Sequence, residues 1–259
     1  MKKLMIAVMA AALVAAAGAG ASAKEWKKVR IGTEGAYPPF NYIDSDGKLK
    51  GFEIDLANAL CERIGAECEF VVQDWDGIIP GLLAKKFDAI IASLYITDER
   101  KEKIDFTKKY YQTPGRFVVR KGTKLEISEA GLKGKVVGVQ RATAFERFLR
   151  DTYPSLDLRM YGTQDEVNLD LVSGRLDAVM ADVVAIGLNF LNTPEGKDFE
   201  FTGPSFSGSK WFGFGAGIAV RKEDPELRDA FNKAIDAIRA DGTYDKIRSA
   251  HFSFDIYGE

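Results

Sequence analysis

The chain has 259 residues, 46% of them hydrophobic and 11% aromatic, so it carries ample material for a core and is not disordered. Its 36 basic and 38 acidic residues leave a formal net charge of −2 with no basic run or stripe, which argues against nucleic acid as a partner. One histidine, His251, and two cysteines fall short of the four ligands a zinc site needs, so no metal or cofactor is expected.

At the start of the chain, Lys2 and Lys3 precede an apolar run from Leu4 to Ala17, and Ala21-Ser22-Ala23 offers an A-x-A cleavage site. That is the pattern of a secretory signal peptide over residues 1–23. The run is shorter than the roughly 20 residues of a spanning helix, and small residues follow it directly. No Cys lies in or just after the segment to carry a lipid. The mature chain is therefore expected to begin at Lys24 as a soluble monomer exported to the periplasm. Excision removes two lysines and no acid, moving the balance further acidic. The remaining length suits one large domain or two lobes of about 100 residues each.

Val29-Arg30-Ile31-Gly32-Thr33 reads as a first strand, Phe52 to Ile64 as a helix, and Glu69 to Val72 as a second strand. Leu82 to Ser93 then ends a helix, turns on basic residues, and enters Asp88-Ala89 and a continuous apolar run. Such a run fits a strand of a parallel sheet covered on both faces. The same order returns further on. Val136 to Gln140 is a strand, about Thr143 to Asp151 a helix, and about Leu158 to Tyr161 a strand. The next helix opens at Thr163-Gln164-Asp165-Glu166 with capping-box spacing and stops at Gly174. Leu171 to Asp182 then matches Leu82 to Ser93 over a dozen positions. The order β-α-β-α-β thus occurs twice, predicting an α/β protein of two Rossmann-like lobes. The alternative is a single large α/β sheet.

Tyr110 to Arg116, with Thr113-Pro114-Gly115, is a candidate first crossing between lobes, and Pro204 to Gly217 a candidate return. Ile218-Ala219-Val220 and a helix from Pro225 to about Ala240 follow. Its apolar face of Leu227, Ala230, Phe231, Ala234, Ile235 and Ile238 should cover the first lobe. The expected lobes are therefore 24–112 with 213–259, and 113–212, joined by a two-segment hinge. Cys61 and Cys68, in an exported chain, favour a disulfide between a helix end and the next strand. Two buried thiols are the alternative.

Open parallel sheets bind ligands beyond the carboxyl ends of their strands, and Glu34, Ser93, Gln140 and Asp182 fall at such ends. A free amino acid needs a cation for its carboxylate and an acceptor for its ammonium. Arg100 can grip the carboxylate bidentately, and Asp182 can take the ammonium from the other lobe. Ser93, Thr143 and the amides opening the helix near Thr143 complete that set. Tyr37 and Trp75 are aromatic candidates for stacking, and Glu34 suits the distal charge of a basic ligand. Each has a plainer reading: Arg100 paired on the surface with Asp98 or Glu102, Trp75 in the core, Glu34 as a solvated loop acid.

Three segments carry a family resemblance. Gly51-Phe52-Glu53-Ile54-Asp55-Leu56-Ala57-Asn58-Ala59-Leu60-Cys61-Glu62-Arg63-Ile64 resembles the signature of the polar amino-acid solute-binding proteins of ABC importers. Thr33 to Phe40 resembles that family's opening loop, and Ile96 to Arg100 its carboxylate-binding turn. The resemblance spans essentially the whole mature chain and is nearest to the lysine/arginine/ornithine, histidine and opine binders. It implies the type II periplasmic binding-protein fold, delivery of the ligand to a membrane permease, and the Cys61–Cys68 disulfide. It also implies that Arg100 holds the α-carboxylate with Thr143 and the backbone at Tyr95, and that Asp182 and Ser93 hold the α-ammonium. Tyr37 and Trp75 would flank the side chain, with Glu34 where basic-ligand binders place an Asp.

This sequence departs from the family at Ala92 and Tyr95, where those binders usually carry serines. It departs again at Ala144 and Phe145, which replace smaller or polar residues. Tyr95 adds bulk at the carboxylate end, and Ala92 removes a hydroxyl near the distal end. A basic ligand is still expected, since Glu34 would otherwise be buried on closure without a partner. Catalysis is not expected, although cyclohexadienyl dehydratases resemble these binding proteins and Glu34 or Asp182 could serve there as a general acid. A receptor sensor module would need a membrane segment after the second lobe, and none precedes Glu259. No G-x-S-x-G, H-E-x-x-H or phosphate-loop pattern occurs, and Gly213 to Gly217 lacks the G-x-G-x-x-G spacing.

Overall fold

The computed structural model describes residues 26–258; the leader expected over residues 1–23 lies outside the described residues. β1 (Lys28–Thr33) buries Val29 and Ile31 and is followed by three short strands, β2 (Ala36–Tyr37), β3 (Asn41–Ile43) and β4 (Leu49–Lys50), which form a small antiparallel sheet. α1 (Phe52–Arg63) starts at Gly51, whose φ is 123° and where a Cβ would stand 2.2 Å from the Phe40 carbonyl oxygen, so only glycine fits. The helix buries Phe52, Ile54, Leu56, Ala57, Leu60 and Cys61. β5 (Glu67–Val72), a 3-10 turn at Trp75–Gly77, α2 (Ile78–Leu83), β6 (Ala89–Ile90), α3 (Asp98–Lys101) and β7 (Asp105–Tyr111) complete this stretch.

The chain next builds β8 (Gly115–Arg120), α4 (Glu129–Leu132), β9 (Val136–Gln140), α5 (Ala144–Thr152), β10 (Asp157–Tyr161), α6 (Gln164–Val172), β11 (Ala178–Asp182), α7 (Val183–Ile186), β12 (Phe199–Phe206) and α8 (Ser209–Phe212). It ends with β13 (Ala216–Val220), α9 (Pro225–Ala240) and α10 (Thr243–His251).

Two five-stranded sheets result, ordered β5-β1-β6-β13-β7 and β10-β9-β11-β8-β12. Each contains a parallel trio, β5-β1-β6 and β10-β9-β11, which are the strands of the doubled pattern. The repeated Asp has a structural cause. The Asp88 carboxylate accepts the Arg30 backbone N–H at 3.1 Å, and the Asp177 carboxylate accepts that of Val136 at 2.8 Å, so each ties the turn before the third strand of its parallel trio to the first. The sheets are mixed rather than wholly parallel. β13 runs antiparallel between β6 and β7, and β8 runs antiparallel to both β11 and β12. These added strands flank the two passages of chain between the sheets, Gln112–Pro114 and 207–215.

Thr163 caps α6 in a reciprocal box with Glu166. Cys61 and Cys68 are joined, their Cα atoms 5.8 Å apart, tying α1 to β5. α9 buries Leu227, Phe231, Ala234, Ile235 and Ile238 against the first sheet and α1. Among the described residues no helix is long and apolar enough to cross a membrane.

Candidate functional site

The carboxyl ends of the two parallel trios face one another. Thr33 ends β1, so Glu34 begins the loop beyond it; Gln140 and Asp182 end β9 and β11. Between them lies a buried cavity of about 30 Å³. Its wall includes Glu34, Tyr37, Trp75, Ala92, Ser93, Tyr95, Arg100, Gln140, Thr143 and Ala144, which brings together every expected site residue except Asp182. An outer chamber of about 440 Å³ shares Trp75, Arg100, Thr143 and Ala144 with it and opens at the mouth of the cleft. The inner cavity is the candidate site despite its size, because the buried polar groups converge there.

Arg100 makes no ion pair with Asp98 or Glu102; Lys101 takes Asp98 instead. Thr97 caps α3 by accepting the Arg100 N–H at 3.4 Å, and this turn aims the guanidinium into the cleft. Nη1 donates to the Tyr95 carbonyl at 2.9 Å, and Nη2 crosses to the Ala142 carbonyl of the second lobe at 3.1 Å. The group also stands 5.6 Å from the centre of the Trp75 ring. Burial, aided by the charge of Arg147, pulls its pKa down to about 10, so it stays charged at neutral pH. By surface area Arg100 is only half-buried, since it also borders the outer chamber.

Glu34 is buried and accepts from Gln140 Nε2 at 2.7 Å across the cleft. Burial pushes its pKa up to about 7 against that hydrogen bond, and the charges of Glu53, Asp165 and Asp74 add to the rise. Gln140 Nε2 also donates to the Gly162 carbonyl at 3.0 Å, fixing the amide in place. Trp75 is buried, as its core reading required, yet it also forms part of the cavity wall; its indole N–H has no acceptor among the described residues.

Ser93 adopts a left-handed φ of 53°, held by Glu53, whose Oε1 accepts the Ser93 N–H at 2.6 Å. Glu53 is a fully buried acid on α1 that also accepts from the Tyr110 hydroxyl and, at 2.6 Å, from Asn41. Asn41 in turn accepts the Gly35 N–H at 2.7 Å. One carboxylate thus braces the Glu34–Tyr37 loop, the Ser93 turn and the end of β7.

Thr143 uses its hydroxyl as the cap of α5, accepting from Glu146 N–H at 3.1 Å and donating to the Gln140 carbonyl at 2.7 Å. Asp182 lies behind the wall rather than on it. Its Oδ1 caps α7 by accepting the Val184 and Ala185 N–H groups at 2.8 and 3.1 Å. Its Oδ2 accepts from the Tyr95 hydroxyl at 3.0 Å and from the Thr113 hydroxyl. Burial raises its pKa in spite of these donors. Tyr95, whose bulk the sequence placed at the carboxylate end, therefore reaches the other lobe and screens Asp182.

Three further wall residues, Tyr111, Phe145 and Gln164, were outside the expected set. Gln164 opens α6 just beyond the end of β10, and Tyr111 sits in the expected first crossing, so strand ends and hinge position were the signals for both. Among the described residues no cluster of three or more His, Cys, Asp or Glu could hold a metal ion.

Facing parallel trios, a buried polar cavity between them and two chain passages joining them define a two-lobed solute-binding protein. Residues 29–254 match the model of the bacterial extracellular solute-binding proteins, family 3. The chain is 50% identical over 234 residues, 90% of each chain, to the L-arginine-binding protein of Pseudomonas aeruginosa. It is 44% identical over 262 residues, the full length of both, to the lysine/arginine/ornithine-binding periplasmic protein of Escherichia coli. Its fold matches an ancestral arginine-binding protein bound to arginine with a TM-score of 0.82 and 38% identity, covering 88% of this chain and all of that one. The chain belongs to the family 3 extracellular solute-binding proteins.

Proposed function

We propose that this protein binds a free basic amino acid of the arginine class by closing its lobes on it, and presents it in the periplasm, as a monomer, to the permease of an ABC importer. The observation that carries this reading is the charge imbalance around the cleft. Glu34 on the cavity wall, with Glu53 and Asp182 buried behind it, faces one guanidinium on that wall, Arg100. Buried carboxylates without counter-charge are costly, and a ligand with two cationic groups and one carboxylate relieves that cost.

In this reading Arg100 and the amides opening α5 receive the α-carboxylate, with Thr143 holding that helix end in place. Glu34, steadied by Gln140, receives the distal cation between Tyr37 and Trp75, while Ala92 and Ala144 leave its path clear. Asp182 acts on the ammonium through Tyr95 and beside Ser93. A cavity of about 30 Å³ admits only some two waters, at ~10–15 Å³ each, so the lobes part to admit the ligand and re-close less tightly around it. Ligand bridging both lobes favours the closed population. The relatives reported above are named as binding proteins, which supports binding rather than catalysis.

Titration calorimetry of the mature protein against the common amino acids tests the reading. Arginine, lysine or ornithine should bind most tightly; a protein that binds acidic or neutral amino acids in preference to these would overturn it.

A further inference from the structure

Tyr111 is the last residue of β7, fully buried, with its ring stacked on Phe40 at 4.5 Å and 15°. Its ring position is thus well satisfied. Its hydroxyl is not: that oxygen is buried, accepts and donates no hydrogen bond among the described residues, and belongs to a side chain on the cavity wall. A buried hydroxyl left unpaired is costly, and native proteins seldom keep one without a use.

The neighbours say which end of a ligand it meets. Two positions on, the Thr113 hydroxyl bonds the Asp182 carboxylate, while the Thr113 carbonyl accepts from Tyr95 at 3.0 Å. Tyr111 shares the wall of the same small cavity with Tyr95, whose hydroxyl lies 3.0 Å from Asp182 Oδ2. Burial keeps the Tyr111 phenol protonated, and among the charges that add to this effect Asp182 is the foremost, ahead of Glu53. Arg100 and Glu34 are engaged elsewhere, by the Ala142 carbonyl and by Gln140. Asp182 itself already faces four donors, one of them the Tyr95 proton that it shares with the Thr113 carbonyl, so a primary ammonium with three N–H donors needs other acceptors beside it.

From this placement we infer that the Tyr111 hydroxyl is a specificity-determining contact that accepts a hydrogen bond from the ligand's primary α-ammonium group. This rests on the amino-acid reading given above. Phenylalanine at this position keeps the stack on Phe40 and removes only the hydroxyl. Y111F should weaken L-arginine binding roughly ten- to a hundred-fold, the range for a hydrogen bond to a charged group. It should leave the affinity for δ-guanidinovaleric acid, which is arginine without its α-amino group, unchanged. Thermal unfolding of Y111F without ligand should occur at the same or a higher temperature, since an unpaired buried group is gone.

If Y111F binds L-arginine as tightly as the wild type, or loses affinity for both compounds equally, the inference is wrong while the amino-acid reading stands. If the wild type binds no amino acid, the earlier reading is the one that fails. A second measurement avoids the variant altogether: in protein carrying ring-labelled tyrosine, the Tyr111 ζ-carbon resonance should shift with L-arginine and not with the desamino analogue. A shift with both, or with neither, would count against the contact.

Discussion

Arg100 and Glu34 respond to burial in opposite senses, and that gives the site a pH dependence with a definite sign. Burial raises the Glu34 carboxyl to about 7, so in the closed form its charge is disfavoured. A raised carboxyl contributes stability that is fully present below its unfolded value and is lost as pH rises through the folded value. Closure without a cationic partner is therefore most favoured in acid and loses this contribution as pH rises from the ordinary carboxyl range to about 7. Binding of arginine needs the ionised carboxylate, so affinity should fall as pH drops below about 7, by a slope approaching tenfold per pH unit. E34Q should flatten that slope and weaken arginine binding; calorimetry from pH 5 to pH 8 measures both. A profile of E34Q parallel to that of the wild type would assign the titration to another group. Arg100 stays charged over this range. R100A should cost about 3 kcal/mol or more, roughly a hundredfold in Kd, because the ligand carboxylate would be buried unpaired. R100K should fall between, keeping the charge and losing the planar fork.

At the scale of elements, helix starts and strand ends hold the binding groups. The Thr143 cap fixes α5, whose first amides face the cleft. T143A should lower stability by about 1 kcal/mol, the usual worth of a cap, and also weaken ligand binding several-fold. T143S should restore both, as read from urea melts and titrations. The Cys61–Cys68 bond joins α1 to β5 away from the cavity wall. The paired replacement of both cysteines by alanine should lower stability by about 2–4 kcal/mol and leave affinity nearly unchanged. The parallel trios, α1, α5, α6 and α9 were legible in the sequence because their apolar periods and caps are local signals. β7, β8 and β12 were not, since Asp105–Tyr111 alternates too irregularly to read as a strand and is held by pairing with β13, a hundred residues away. Of the site, the types and positions of the charged residues were legible. That Asp182 is screened by Tyr95 was not, because it depends on how far the lobes approach.

For the whole molecule, closure is supported by contacts that exist only when the lobes meet. Gln140 to Glu34 and Arg100 to the Ala142 carbonyl lie inside the cleft. At its rim Arg141 pairs with Asp76 and Arg147 with Glu99. The acids of both rim pairs are exposed to solvent, so each pair is worth at most about 1 kcal/mol and is screened by salt. They are absent from the open form, so their whole worth bears on the closing equilibrium. The isosteric double variant D76N with E99Q removes both charges and retains Arg147's hydrogen bond to the Trp211 carbonyl. It should bind arginine up to about thirtyfold more weakly, with the loss in the dissociation rate, because these pairs form after encounter. Its affinity should also depend less on salt than that of the wild type, and X-ray scattering without ligand should report a larger mean radius of gyration. A loss confined to the association rate would instead assign the two acids to electrostatic steering of the cationic ligand into the cleft.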